Sequence, residues 1–106
     1  MPPVGVRAVI DSPTSVLLSW SDTALLPPGG ALWGGGDNRY YTVRYNPKLS
    51  RSKPRLLNVT DLWVRVDDLK VDTDYEFSVK VVKGQRQSAW SLSVFNRTRE
   101  ASESTN

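Results

Sequence analysis

The 106-residue chain contains no cysteine and no histidine. Without cysteine there is no disulfide framework, and the redox compartment stays open. Without either residue, zinc, copper and iron lose their usual nitrogen and sulfur ligands. The Ser-His and Cys-His nucleophile pairs are excluded with them. No apolar run approaches the length of a membrane span, and helical i, i+3, i+4 spacing is sustained nowhere. No amino-terminal leader is visible: Met1-Pro2-Pro3 leads straight into a strand-like pattern, and the chain is expected to be a piece of a longer one. Neither a catalytic residue nor a cofactor is expected.

What is present is the composition of one globular domain, with 39% hydrophobic and 24% charged residues. A chain of this length can bury a core without metals or crosslinks. Valine, leucine, tyrosine and tryptophan recur with period two between Gly, Pro, Asp and Ser, which is the signature of half-buried strands. Seven strands are expected: Val4 to Ile10, Ser15 to Trp20, Tyr40 to Tyr45, Arg55 to Val59, Leu62 to Val66, Tyr75 to Val82 and Leu92 to Thr98. Alternation turns Val16, Leu18, Trp20, Tyr41, Val43 and Tyr45 inward, then Leu62, Val64, Val66, Tyr75, Phe77, Val79, Val81, Leu92 and Val94. Asn46-Pro47 is expected to end the third strand, because proline cannot continue a ladder. Short alternating strands with frequent turns give an all-β, two-sheet sandwich. The domain is expected over residues 1–99, with 100–106 a polar tail or linker between modules.

The residues also carry a resemblance. Pro2-Pro3 with Val16-Leu17-Leu18-Ser19-Trp20 resembles the opening of a fibronectin type III domain. Arg39-Tyr40-Tyr41-Thr42-Val43-Arg44-Tyr45 is similar to that family's third strand. Leu69, Thr73 and Tyr75 match its Leu-x-Pro-x-Thr-x-Tyr segment, with Val71 in place of proline, and Arg97-Thr98 closes the last strand as in the family. The resemblance implies a seven-stranded antiparallel Greek-key sandwich of immunoglobulin-like type, with Trp20, Tyr41, Leu69, Tyr75 and Trp90 structural. Tyr75 becomes its corner tyrosine, with the hydroxyl bonding to backbone upstream.

The run from Thr73 to Val81 and the later Ser88-Ala89-Trp90-Ser91 look like modules of the DCC, neogenin and Punc group of immunoglobulin-superfamily receptors. That likeness implies a non-catalytic module on the extracellular side of a single-pass membrane protein, in cell adhesion or axon-guidance-type signalling. Its expected partners are a protein ligand, neighbouring type III modules and heparan sulfate; the module itself lies outside the membrane. A spacer in a tandem array, or an intracellular type III module, is the alternative.

Several features bear on recognition. Lys48, Arg51, Lys53 and Arg55 fall in a stretch free of Asp and Glu, a candidate site for sulfated glycan; the same residues also suit a solvated turn. Arg39, Lys83 and Arg86 are expected to extend the patch. Nucleic acid is not expected, since no stacking aromatics interleave with these cations. A long loop from about Ser21 to Asn38 carries Leu25, Leu26, Leu32 and Trp33 among glycines. It is either a docking element or a mobile insertion whose leucines fold back on the sandwich. Trp33, Arg86 and Trp63 are candidate protein contacts, Trp63 by its outward parity. Ser88-Ala89-Trp90-Ser91 resembles half of the Trp-Ser-x-Trp-Ser box of cytokine receptors, and alternation lets Trp90 sit between Arg44 and Lys80.

Asn58-Val59-Thr60 and Asn96-Arg97-Thr98 are glycosylation triplets. Asn58 is expected to be exposed and the better acceptor, and Asn96 to point inward. Asp67, Asp68, Asp72 and Asp74 crowd one turn, where turn chemistry explains them better than a cation does.

Overall fold

The computed structural model describes residues 2–22, 39–49, 51 and 53–100. Eight strand segments follow in order: β1 (Val4–Ser12), β2 (Ser15–Ser21), β3 (Tyr40–Pro47), β4 (Arg55–Val59), β5 (Trp63–Val66), β6 (Asp74–Lys83), β7 (Arg86–Gln87) and β8 (Val94–Arg97). β1, β2 and β5 form one sheet in that order. The second sheet runs β4-β3-β6, with β7 and β8 paired along β6. All pairings are antiparallel. β8 falls within the expected last strand, Leu92 to Thr98, whereas β7 lies before it in a stretch read as turn. Both pair with β6, so the seven-strand plan is approximate and is recovered only by counting the two as one interrupted strand.

Period two places the core. Val16, Leu18 and Trp20 of β2 face Tyr41, Val43 and Tyr45 of β3 and Tyr75, Phe77 and Val79 of β6, with Val66 and Leu69 completing the buried cluster. Burying each such side chain contributes roughly 1.5–3 kcal/mol. Aromatic edges add shape. Trp20 and Tyr41 meet T-shaped at 5.6 Å, and Phe77 stacks between Tyr45 and Tyr75 at 6.3 and 6.2 Å. The Tyr75 hydroxyl accepts the Lys70 N–H at 2.8 Å, the upstream backbone bond expected of a corner tyrosine.

Glycine and aspartate stand where the chain turns left-handed. Gly5 (φ 62°) sits at the register shift in β1, and Gly84 (φ 59°) turns β6 into β7. Asp68 (φ 59°) and Asp72 (φ 50°) take the same region between β5 and β6. Aspartate tolerates that conformation better than most side chains, which is the turn chemistry expected of this cluster.

Three expectations about strands need correction. β3 runs on to Pro47, opposite Tyr75. Proline fits there because β4 has already ended opposite Tyr45, so only one edge of Pro47 is paired. Leu62 precedes β5 and is exposed at its side chain, though its carbonyl accepts the Trp20 N–H. Leu92 is 89% exposed rather than inward. The ladder is interrupted between β7 and β8, so parity counted back from Val94 does not reach Leu92.

Candidate recognition surface

The interruption beside β6 has a local cause in two serines. Ser88 donates its N–H to the Val81 carbonyl at 2.9 Å while its hydroxyl accepts the Val81 N–H at 3.0 Å. Ser91 does the same with Val79, at 2.8 and 3.0 Å. Side-chain oxygens thus replace ladder carbonyls, and the segment leaves regular strand geometry without leaving backbone groups unpaired. Trp90, fixed between the two serines, lies across the outer face of the sheet. The Arg44 guanidinium carbon is 4.2 Å from its ring centroid, and the Lys80 ammonium 4.7 Å. Arg44 also donates to the Ser78 hydroxyl and Lys80 to Gln87. Each cation–π contact at a partly exposed site contributes about 0.5–1 kcal/mol. The sandwich of Trp90 between Arg44 and Lys80 is the arrangement alternation suggested.

Towards the Pro47 end of the same sheet, Lys48 lies 5.0 Å from the ring centroid of the exposed Phe95. Around the corner, Lys53 and Arg55 line a cleft of about 160 Å³ with Lys70, over Tyr45, Pro47 and Tyr75. Asp68 is the carboxylate in that lining. The expected basic group is therefore divided. Lys53 and Arg55 converge on the cleft, Lys48 reaches the sheet face, and Arg51 is exposed. Lys70 joins them from the turn before β6. Nothing in the sequence pairs it with Arg55, and only the fold brings the two together.

The expected extension of this patch does not form. Tyr40 pairs with Val82 and Lys83 with Arg86, which puts Lys83 and Arg86 at the opposite end of the sheet from Arg55, the partner of Tyr45. Arg39 is turned into the protein: its Nη1 donates to Asp22 Oδ2 at 2.5 Å, and the Tyr41 hydroxyl donates to the same oxygen at 2.8 Å. Asp22 is 4% exposed. Burial first, then the hydrogen bond and charge of Asp22, push the Tyr41 pKa up to about 12, against the opposing pull of Arg39. Asp22 and Arg39 flank residues 23–38, so this buried pair fixes the two places where that segment joins the sandwich.

The other candidates fall elsewhere. Trp63 is 56% exposed on the outer face of the three-stranded sheet, opposite Ser19, with exposed Leu17 and Val9 in the next row. Trp33 and the leucines of the long loop lie outside the described residues. Asn58 is exposed on β4 and Asn96 is half-buried on β8. Of the crowded aspartates, Asp67 pairs with Arg65, while Asp72 and Asp74 both bind Arg97 at 3.0 Å. Those two carboxylates, the hydrogen bond that Arg97 donates to Asp72 foremost, raise the Arg97 pKa. Among the described residues no cluster of three metal-ligating side chains forms, and no helix is long and apolar enough to cross a membrane.

Comparison with known proteins agrees with the all-β sandwich. The family model of the fibronectin type III domain matches residues 1–97. Neogenin of Rattus norvegicus is 42% identical over 101 residues, covering 94% of this chain and 7% of that protein. The netrin receptor DCC of Rattus norvegicus is 39% identical over 102 residues, covering 95% of this chain and again 7% of the relative. The chain thus spans a small fraction of the length of these relatives. The solution structure of the fn3 domain of human collagen alpha-1(XX) superposes with a TM-score of 0.74 at 20% identity, covering 94% of this chain and 86% of that one. From its two sheets, its Tyr75 corner and a match over nearly its whole length, the chain belongs to the fibronectin type III family.

Proposed function

We propose that the chain is a non-catalytic recognition module on the extracellular side of a single-pass cell-surface receptor, in adhesion or axon-guidance-type signalling. It binds sulfated glycan of the heparan type at the Pro47 end of the sandwich and a protein ligand across the neighbouring sheet face. The observation that carries this reading is the convergence of Lys53, Arg55 and Lys70 on one cleft, with Lys48 held on Phe95 beside it. Cations gathered at one place attract an anionic polymer, whereas the same charges dispersed do not. Arg55 stands on β4, and the sandwich anchors the connecting segments that carry Lys48, Lys53 and Lys70. Kinship with neogenin and with a receptor named for netrin supports the receptor context. On this reading the module closes near residue 99, where the Arg99 carbonyl still accepts the Asp72 N–H.

Retention on immobilised heparin through a salt gradient tests the glycan site. The wild-type module is expected to elute late and the K53E/R55E/K70E variant early. Equal elution of the two would remove the cleft as the site. Netrin, the ligand in the name of the DCC relative, is the first protein probe. A W90A variant should weaken any such contact made through the sheet face.

A further inference from the structure

The two glycosylation triplets are treated differently by the fold. Asn96 sits in the seam between the sheets. Its Nδ2 donates to the Ala8 carbonyl of β1 at 2.7 Å, and its Oδ1 accepts the Arg97 N–H at 2.8 Å. Thr98, the hydroxyl residue of that triplet, is 2% exposed. Its hydroxyl accepts the Thr73 N–H at 2.9 Å and donates to the Lys70 carbonyl at 2.6 Å. The acceptor amide and the hydroxyl that marks it are both consumed in holding β8 to β1 and to the turn before β6.

Asn58 stands on β4, the outermost strand of the five-stranded sheet, with its side chain exposed. Its Oδ1 accepts the Thr42 hydroxyl at 2.9 Å, which orients the amide. Among the described residues, no hydrogen bond engages its Nδ2. Thr60 is exposed. An open hollow of about 510 Å³, lined by Tyr40, Asn58, Val59, Thr60 and Asp61, leaves room for a first sugar beside the Tyr40 ring.

We propose that Asn58 is an acceptor for an N-linked oligosaccharide and that Asn96, despite its intact triplet, is not. In the transfer, Nδ2 attacks the anomeric carbon of a lipid-diphosphate-linked oligosaccharide. The carbon–nitrogen bond forms, the anomeric carbon–oxygen bond breaks, the lipid diphosphate leaves with the electron pair, and the amide gives up one proton to a base. The product keeps Oδ1 free to accept from Thr42, so β4 stays paired as before. A saccharide on Asn96 instead stands where Ala8 packs, and separates β1 from β8. Chains modified there before folding cannot close the seam, so the secreted, folded module carries its glycan on Asn58 alone.

The inference rests on the extracellular reading, because the donor lipid belongs to the secretory route. Its test forces that route. The 106-residue chain is secreted from mammalian cells behind an added signal segment. It is deglycosylated by peptide N-glycosidase in heavy-oxygen water and mapped by mass spectrometry. A heavy-oxygen aspartate at position 58 and an unmodified Asn96 are expected. Label at position 96, or at neither position, overturns the proposal. The T60A variant separates acceptor loss from misfolding, since it leaves the Asn58–Thr42 bond in place. It is expected to be secreted and folded without glycan, and a retained mass shift would also overturn the proposal. Heparin retention is read on unglycosylated bacterial protein, so failure of the glycan-binding reading and failure of this one are told apart.

Discussion

The five-stranded sheet ends in two different ways. At the Tyr40 end, Asp22, Arg39 and Tyr41 form a buried group around one carboxylate oxygen. At the Pro47 end, Lys53, Arg55 and Lys70 gather on an open cleft. Both ends use charge, with opposite consequences. A buried charge must be matched inside the protein, because water no longer solvates it. An exposed, mainly cationic group, here three cations beside the Asp68 carboxylate, keeps its hydration and its field and remains available to a partner. The first end therefore serves the fold by closing the junction of residues 23–38, and the second serves recognition.

The largest effect that would break this contrast is at Asp22. The D22A variant leaves the Arg39 guanidinium without its buried carboxylate and is expected to lose about 3–5 kcal/mol of stability in urea unfolding. If K53E/R55E lowers the midpoint as much as D22A does, the division between a folding end and a binding end fails.

The pH dependence sharpens the same point. Tyr41 has its pKa raised to about 12 in the fold, above the ordinary value of 10. Its contribution is complete below pH 10 and declines as pH rises from 10 towards 12, because the unfolded chain releases that proton first. Thermal unfolding should show this alkaline decline. Y41F should flatten it, and a decline unchanged by Y41F would assign it to other groups.

A smaller effect is expected at Trp90. Removing the ring in W90A forfeits two cation–π contacts, together about 1–2 kcal/mol, and frees Arg44 and Lys80 from their fixed positions. Unfolding midpoints should fall modestly, while the N–H protection of Val79 and Val81 persists because Ser88 and Ser91 still bond to them. Loss of that protection in hydrogen exchange would show that the tryptophan, not the serines, holds the segment. The smallest effect belongs to Arg97, whose pairs with Asp72 and Asp74 are exposed. R97A should leave the midpoint nearly unchanged, since exposed ion pairs are screened and exchange readily with water.

Alternation carried the sequence reading wherever a ladder is unbroken. It placed the core of β2, β3 and β6, the exposure of Trp63 and the seat of Trp90, because side-chain direction in a paired strand depends only on parity. It failed at Leu92, where the hydroxyls of Ser88 and Ser91 stand in for carbonyls and the count no longer runs through. Contacts between distant segments were out of its reach. Arg39 meets Asp22 across residues 23–38, Lys70 lines the same cleft as Arg55 from another turn, and Asn96 meets Ala8 across 88 positions. Parity already separated the triplets, with Asn58 exposed and Asn96 inward; what it could not supply is the partners that engage Asn96 and Thr98 across the seam.

Charge-matched variants at the two ends of the sheet test the central claim most directly. K53E/R55E at the cleft and K83E/R86E at the opposite end remove the same charge, and their elution from heparin through a salt gradient can be compared with wild type. A specific site at the Pro47 end predicts that K53E/R55E loses retention while K83E/R86E keeps most of it. Equal losses would mean that net charge alone drives retention and that the cleft is not a recognition site.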